Sequence, residues 1–341
     1  MTSPRVGKVL VTGSTGFLGQ RIVRGLANTG RPIRALVRPG TDPHVLDDCL
    51  SGSSISRVEM IHASFTDLPA LRRAVDGVDI VLHVAASKTG SAASQVANNV
   101  VGSENLFKAA VESHTPRFVL VSSFAVIGTS ELPRASLIDE SVGIERHPER
   151  RDPYSFAKHR QEMLAWKYRQ DFGLPLVVVR PGAIFGPGQN FLVSRIGVSL
   201  FGLFLHLGGG NRIPLTYVDN CADAVIQAGL VPGIEGEVFC IVDDDLPTSR
   251  QLLRRYRHVV APVRFVPVPF VLLRQLARLN VWYSRRTNGH LPAVFTPYKV
   301  DGMWKGQRYS NAKAKHLLQW TPRIPMEEAL SVTFAAQARP R

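Results

Sequence analysis

Apolar residues fall into short, nearly continuous runs, separated by longer stretches in which they recur every three or four positions. Lys8–Thr12, Ile33–Arg38, Val58–His62, Asp79–Val84, Arg117–Ser122 and Leu176–Arg180 are rich in Val, Ile and Leu and read as strands, and the segments between them have a helical period. Strands that are apolar throughout, rather than at alternate positions, are those covered on both faces. The pattern predicts an α/β protein with a doubly wound parallel Rossmann sheet.

After Pro181 the rhythm loosens. Gly186, Pro187, Gly188, the triplet Gly208–Gly210 and the prolines between Pro247 and Pro297 interrupt it, although Glu237–Val242 reads as one more strand. The expected division is a sheet domain of residues 1–182 and 217–242, and a smaller, mostly helical lobe of residues 183–216 and 243–341. Asn311–Leu318 and Met326–Ala336 read as packing helices of that lobe. The apolar windows Val193–Leu207 and Phe265–Tyr283 are too short or too interrupted by charge to span a bilayer.

At 45% hydrophobic and 20% charged residues, the 341-residue chain has the composition of a globular protein. Its three cysteines, Cys49, Cys221 and Cys240, stand far apart without CxxC or Cys/His spacing. Free thiols and no metal are expected. Met1 to Gly13 runs straight into a strand-like segment without the organisation of a leader, which gives a cytoplasmic expectation. The net charge of +14 is uneven: Leu246 to Val300 contains no Asp or Glu but ten Arg and Lys residues. Such a field draws in an anionic ligand, an acidic carrier, a nucleic acid or an anionic membrane surface. Nothing beyond charge speaks for nucleic acid, and none is expected as a partner.

Candidate chemistry begins where the first strand ends. Thr12–Gly19 reads TGSTGFLG, with Gly13, Gly16 and Gly19 at GxxGxxG spacing and Thr15, Phe17 and Leu18 among them. Glycines let a backbone approach a pyrophosphate, and the following helix turns free N–H groups and its positive dipole end towards it. Where the second strand ends, Ala35–Arg38 offers no carboxylate for the ribose hydroxyls. Arg38, with Arg34 as a second donor, suits a 2′-phosphate instead, which favours NADP and keeps NAD as the alternative. Further on, Asp152 and Pro153 form a helix start that sets Tyr154 and Lys158 on one face. An ammonium beside a phenol favours phenolate, so this pair reads as an acid–base group.

Together these pieces resemble the extended short-chain dehydrogenase/reductase family, which includes sugar-nucleotide epimerases and 3β-hydroxysteroid-type dehydrogenases. The matching segments are TGSTGFLG at Thr12–Gly19, DGVDIVLHVAA at Asp76–Ala86, NVVGSENL at Asn99–Leu106, VSSFAVIG at Val121–Gly128, YSFAK at Tyr154–Lys158 and RPGAIFGPG at Arg180–Gly188. The resemblance implies that Ser123 binds the substrate oxygen, with Ser122 as the neighbouring alternative. It implies that Tyr154 exchanges its proton and that Lys158 also holds the nicotinamide ribose. Asn99 corresponds to the family's helix asparagine, with a role in a helix kink and a proton relay or in simple packing.

By the same resemblance Ser64, Phe65, Ala85, Ala86 and Ser87 run past the adenosine and ribose, and Pro181, Gly182, Ala183 and Ile184 beside the nicotinamide. Ser64 stands where relatives often carry an aspartate, and Asp67 reads as a helix cap. The C-terminal region, with Val266–Leu279, Leu291–Tyr298 and the Arg308–Ala314 segment, resembles the 3β-hydroxysteroid-dehydrogenase-like branch and implies a lipophilic ketone or secondary alcohol. The basic lobe fits a substrate that is lipophilic, anionic or taken from a membrane surface. A sugar-nucleotide epimerase or dehydratase is the second reading, a non-catalytic NADP-binding protein the third, and a homodimer through the sheet-domain helices is expected.

Overall fold

The computed structural model describes residues 7–50, 58–189, 191, 194–200, 202–287 and 295–338. All seven predicted strands form, and all pair in parallel in one sheet. Its spatial order is Val238–Ile241, Leu176–Pro181, Arg117–Val121, Ile80–His83, Val9–Thr12, Ile33–Val37 and Val58–His62. The order reverses at Val9–Thr12, so the crevice beyond the carboxyl ends of Val9–Thr12 and Ile80–His83 is the topological switch point. The register there sets Thr12 beside both His83 and Leu36.

Alternation along each strand explains the unbroken apolar runs. Val9, Val11, Ala35, Leu82, Val119, Val121, Val177 and Val179 face one way, into a core shared with the helices Phe17–Asn28 and Val218–Leu230. Leu10, Leu36, Val81, Phe118, Leu120, Leu176 and Val178 face the other, against Leu68–Val75, Gly102–Glu112 and Pro153–Phe172. Each fully buried side chain of this size stabilises the fold by about 1.5–3 kcal/mol relative to exposure, and the sheet that carries the site is buried on both faces.

Asp67 and Asp152 both cap as expected, accepting from the N–H groups of Ala70 and Ser155. The lobe contains the helices Ser249–Val259, Phe270–Arg286, Pro297–Trp304, Ala312–Leu317 and Met326–Gln337. It also contains a small sheet, Gly197–Leu200, Leu203–His206 and Phe265–Pro267, which turns the apolar Val193–Leu207 window into a hairpin. Residues 193 and 288–294, part of the windows singled out in the sequence, lie outside the described residues. Among the described residues no helix is long and apolar enough to cross a membrane.

Candidate active site

At the end of Val9–Thr12 the chain turns through Gly13 at φ +67°, and the Gly16 N–H donates back to the Gly13 carbonyl at 3.0 Å. A Cβ on Gly13 would stand 2.8 Å from the Ala85 backbone, and one on Gly19 2.0 Å from the Gly13 carbonyl oxygen. The first glycine thus lets two strand-end loops touch, and the third seats the helix on the turn. Thr15 and Gly16 are exposed at the tip, while Leu18 is core. Gly16 caps the helix Phe17–Asn28 without any side-chain hydrogen bond, so the first N–H groups stay open towards the crevice. This cradle suits a dinucleotide diphosphate.

Arg38 ends the second strand with an exposed side chain, and its carbonyl accepts from Thr41. Arg34 does not join it. Its buried guanidinium donates to Glu59 at 3.0 Å and to the carbonyls of Arg73, Ala74 and Asp76, tying the far end of the sheet together. It is corrected from a cofactor donor to a structural residue. Ser64 makes a local turn with Thr66, and the Phe65 carbonyl accepts from Asn105. Ala85 and Ala86 follow the Gly13 contact. Gly182 passes so close to Pro214 that a Cβ would stand 2.3 Å from its carbonyl oxygen, and Ala183–Phe185, which includes Ile184, pairs with Leu215–Tyr217. Pro181 ends the preceding strand.

Tyr154, Lys158, Gln161, Glu162 and Ala165 occupy one inward stripe of Pro153–Phe172, at the i, i+4, i+7, i+8, i+11 spacing of a helix face. Tyr154 shares a hydrogen bond with Ser123, and burial nevertheless pushes its phenol up to about 12. Lys158 is 1% exposed and donates to the Val121 carbonyl at 2.7 Å and to Gln161 Oε1 at 2.6 Å. Burial brings its ammonium down to about 7, against an opposing pull from Glu162 and with Lys88 adding to the depression. The expectation that the lysine lowers the phenol is therefore not met by this chain alone, because that ammonium is enclosed and engaged by other acceptors.

The two serines separate cleanly. Ser123 meets Tyr154, whereas the Ser122 hydroxyl donates to Glu162 at 2.5 Å and its N–H to the Val179 carbonyl at 2.7 Å. Ser122 thus leaves the candidate set for substrate or cofactor binding through its side chain. Asn99 sits in a π-helical turn, Ala97–Val101, and both ends of its amide bind the Ser87 backbone, at 2.7 and 2.9 Å. It holds the loop beside the cradle.

Sequence reasoning missed a buried chain behind these groups. Gln161 donates to Ser103 at 2.6 Å, Ser103 meets His83 Nε2 at 2.8 Å, His83 Nδ1 meets the Thr12 hydroxyl at 2.7 Å, and Thr12 accepts from the Ala85 N–H at 3.3 Å. Burial holds His83 down at about 3. The chain joins the lysine to the glycine cradle through members drawn from four separate segments, which no local motif announces. Lys88, whose ammonium lies 5.8 Å from the Tyr154 ring centroid, was missed as well. Gln161→Leu, which strips the lysine of one acceptor and Ser103 of a donor, is expected to cost about 1–3 kcal/mol in chemical denaturation.

Residues 9–238 match the model of the NAD dependent epimerase/dehydratase family. The 2-alkyl-3-oxoalkanoate reductase of Stenotrophomonas maltophilia is 29% identical over 97% of this chain and 99% of its own. The 3beta-hydroxysteroid-dehydrogenase/decarboxylase isoform 1 of Arabidopsis thaliana is 24% identical over 95% of this chain and 78% of its own. The UDP-glucuronic acid 4-epimerase of Bacillus cereus, solved in complex with NAD, superimposes with a TM-score of 0.70 at 20% identity, over 97% of this chain and 98% of its own, a likeness of fold. With the glycine cradle and the tyrosine helix in place, the chain belongs to the NAD dependent epimerase/dehydratase family and is an enzyme of the extended short-chain dehydrogenase type.

Proposed function

We propose that the protein reduces a ketone to a secondary alcohol with NADPH, and that its substrate is a lipophilic 3-oxo acid carrying alkyl chains. The observation that carries this reading is the Tyr154–Ser123 pair: a phenol held near 12 is a proton donor at neutral pH, and a hydroxyl beside it orients an oxygen. A full-length relative whose name specifies a 2-alkyl-3-oxoalkanoate supports the substrate class, and a lobe with ten cations and no acid between Leu246 and Val300 suits its carboxylate.

The bound nicotinamide would supply hydride to the carbonyl carbon. Ser123 then orients the carbonyl oxygen, Tyr154 gives its proton to that oxygen as negative charge develops, and Lys158 holds a positive charge behind them. The cradle of Gly13, Gly16 and Gly19 would take the diphosphate, with Ala85, Ala86 and Ser87 walling the adenosine side and Pro181–Ile184 the nicotinamide side. Asn99 keeps Ser87 in place. The buried thiols of Cys221 and Cys240 fit a cytoplasmic setting.

Arg38 is assigned to the 2′-phosphate of NADPH. Arg38→Asp is expected to weaken NADPH about 10- to 100-fold and leave NADH unchanged or improved, as follows from the loss of charge-assisted hydrogen bonds. Fluorescence titration with both nucleotides, followed by turnover on alkyl 3-oxo acids and on UDP-sugars, tests the whole reading. Exchangeable, NADPH-preferring binding with 3-oxo acid turnover supports it. Tightly retained NAD with UDP-sugar turnover would replace it with an epimerase.

A further inference from the structure

The helix Phe270–Arg286 carries two apolar stripes, one turned inward and one left open. Leu273 and Ala277 turn inward and join Leu207, Val300 and Trp304 in a small core of the lobe. Roughly a quarter turn round the helix, Leu272, Leu276, Leu279 and Tyr283 recur at helical spacing as a second stripe, each 49–58% exposed, and Val271 at 71% and Trp282 at 59% carry the apolar surface on to the side that faces away from the core. Packing one chain requires only the first stripe, so the second is an apolar surface that the fold leaves open.

The small sheet of the same lobe carries exposed apolar residues as well. Val198, Leu205 and Val268 pack against the same core as the helix. Leu200, Leu203 and Val266 lie on the same face by strand alternation, with Leu203 opposite Leu200 and Leu205 opposite Val266, and they remain 42–50% exposed.

Charge complements the apolar stripe. Arg278 and Arg285, two turns apart, line one flank, and the Arg286 guanidinium lies 5.9 Å from the Trp282 ring centroid at its end. Among the described residues none of these three has a carboxylate partner, whereas Arg274 is turned inward onto Asp301 at 3.1 Å. No acid occurs anywhere between Leu246 and Val300.

We infer that this face docks on an anionic phospholipid surface, with the helix lying in the plane of the interface. Its leucines enter the acyl boundary, Trp282 and Tyr283 sit at the headgroup level, and the arginines meet lipid phosphates. The helix is too short and too charged to span. A second copy is the poorer occupant, because a two-fold axis would set a wholly cationic face against itself. The inference rests on this surface alone and stands whichever substrate the active site takes.

The test is co-sedimentation of the full chain with phosphatidylcholine vesicles and with vesicles that are about one quarter phosphatidylglycerol, alongside tryptophan emission. Of the four tryptophans Trp304 and Trp320 are buried and Trp166 half-buried, so a change in polarity at the surface reports Trp282. The protein is expected to pellet with the anionic vesicles, shift its emission to the blue, and be released by about 0.5 M salt. Leu276→Asp/Leu279→Asp and, separately, Arg278→Glu/Arg285→Glu are each expected to weaken this binding about tenfold or more, with melting temperature and NADPH affinity unchanged. Equal sedimentation with both vesicle types, or none, overturns the inference. So does a dimer in analytical ultracentrifugation that Leu276→Asp/Leu279→Asp splits, which would give the face to a second copy.

Discussion

Tyr154→Phe is expected to lower turnover about 10²- to 10⁴-fold, the range for removal of a general acid, while cofactor affinity stays close to that of the parent. The substitution keeps the ring, and with it the packing beside Lys88, and removes only the oxygen that pairs with Ser123. The pH dependence sharpens the test. With the phenol near 12 the tyrosine stays protonated throughout the neutral range, so it should impose no pH dependence of its own on ketone reduction there and one only at strongly alkaline pH. Alcohol oxidation needs the phenolate, whose fraction grows about tenfold per pH unit below the pKa, so its rate should climb with pH wherever proton transfer limits it. The phenylalanine variant should lose that slope. Full activity in Tyr154→Phe would remove the tyrosine from the reaction altogether.

Glu162→Ala is expected to cost about 3–5 kcal/mol of folding stability, the usual effect of orphaning a buried charge. Glu162 is 1% exposed and accepts from Arg180 at 2.5 and 3.1 Å, from the Ser122 hydroxyl at 2.5 Å and from Trp166 at 3.4 Å. Without it the Arg180 guanidinium, 4% exposed in the strand Leu176–Pro181, has no counter-charge. Urea denaturation measures the loss, and the double variant Glu162→Leu/Arg180→Met should recover most of it, since an apolar pair avoids the desolvation that the ion pair has to offset. A second signature is electrostatic. Glu162 holds the Lys158 ammonium up, so any pH dependence owed to that lysine should move to lower pH. A variant as stable as the parent would show that solvent reaches Arg180.

The central sheet was legible because being covered on both faces leaves an unmistakable trace: every residue of Val9–Val11 must be apolar, whichever way it points. The glycine cradle and the Tyr154–Lys158 helix were legible because their parts are close in the chain and the spacing is the geometry. The choice between Ser122 and Ser123 was not, since one residue of strand pleat decides whether a hydroxyl meets Glu162 or Tyr154. Arg34 misled for a different reason: it shares a strand face with Arg38 but stands at the opposite end of the strand, where Glu59 takes its guanidinium. The hairpin through Leu203–His206 lay hidden because its turn glycine, Gly202 at φ +77°, is set in an otherwise apolar window that reads as one continuous run. The chain through His83, Ser103 and Gln161 could not be read at all, because three elements have to fold together before its members meet.

That buried chain has a consequence for how damage would spread through the site. The imidazole of His83 stays uncharged down to about 3, and its neighbours are an amide and two hydroxyls. The chain is a strut: through Gln161 it ties Lys158 to the strand end that carries Gly13. A substitution in its middle, at Ser103 or His83, is therefore felt at the lysine and at the glycine turn together.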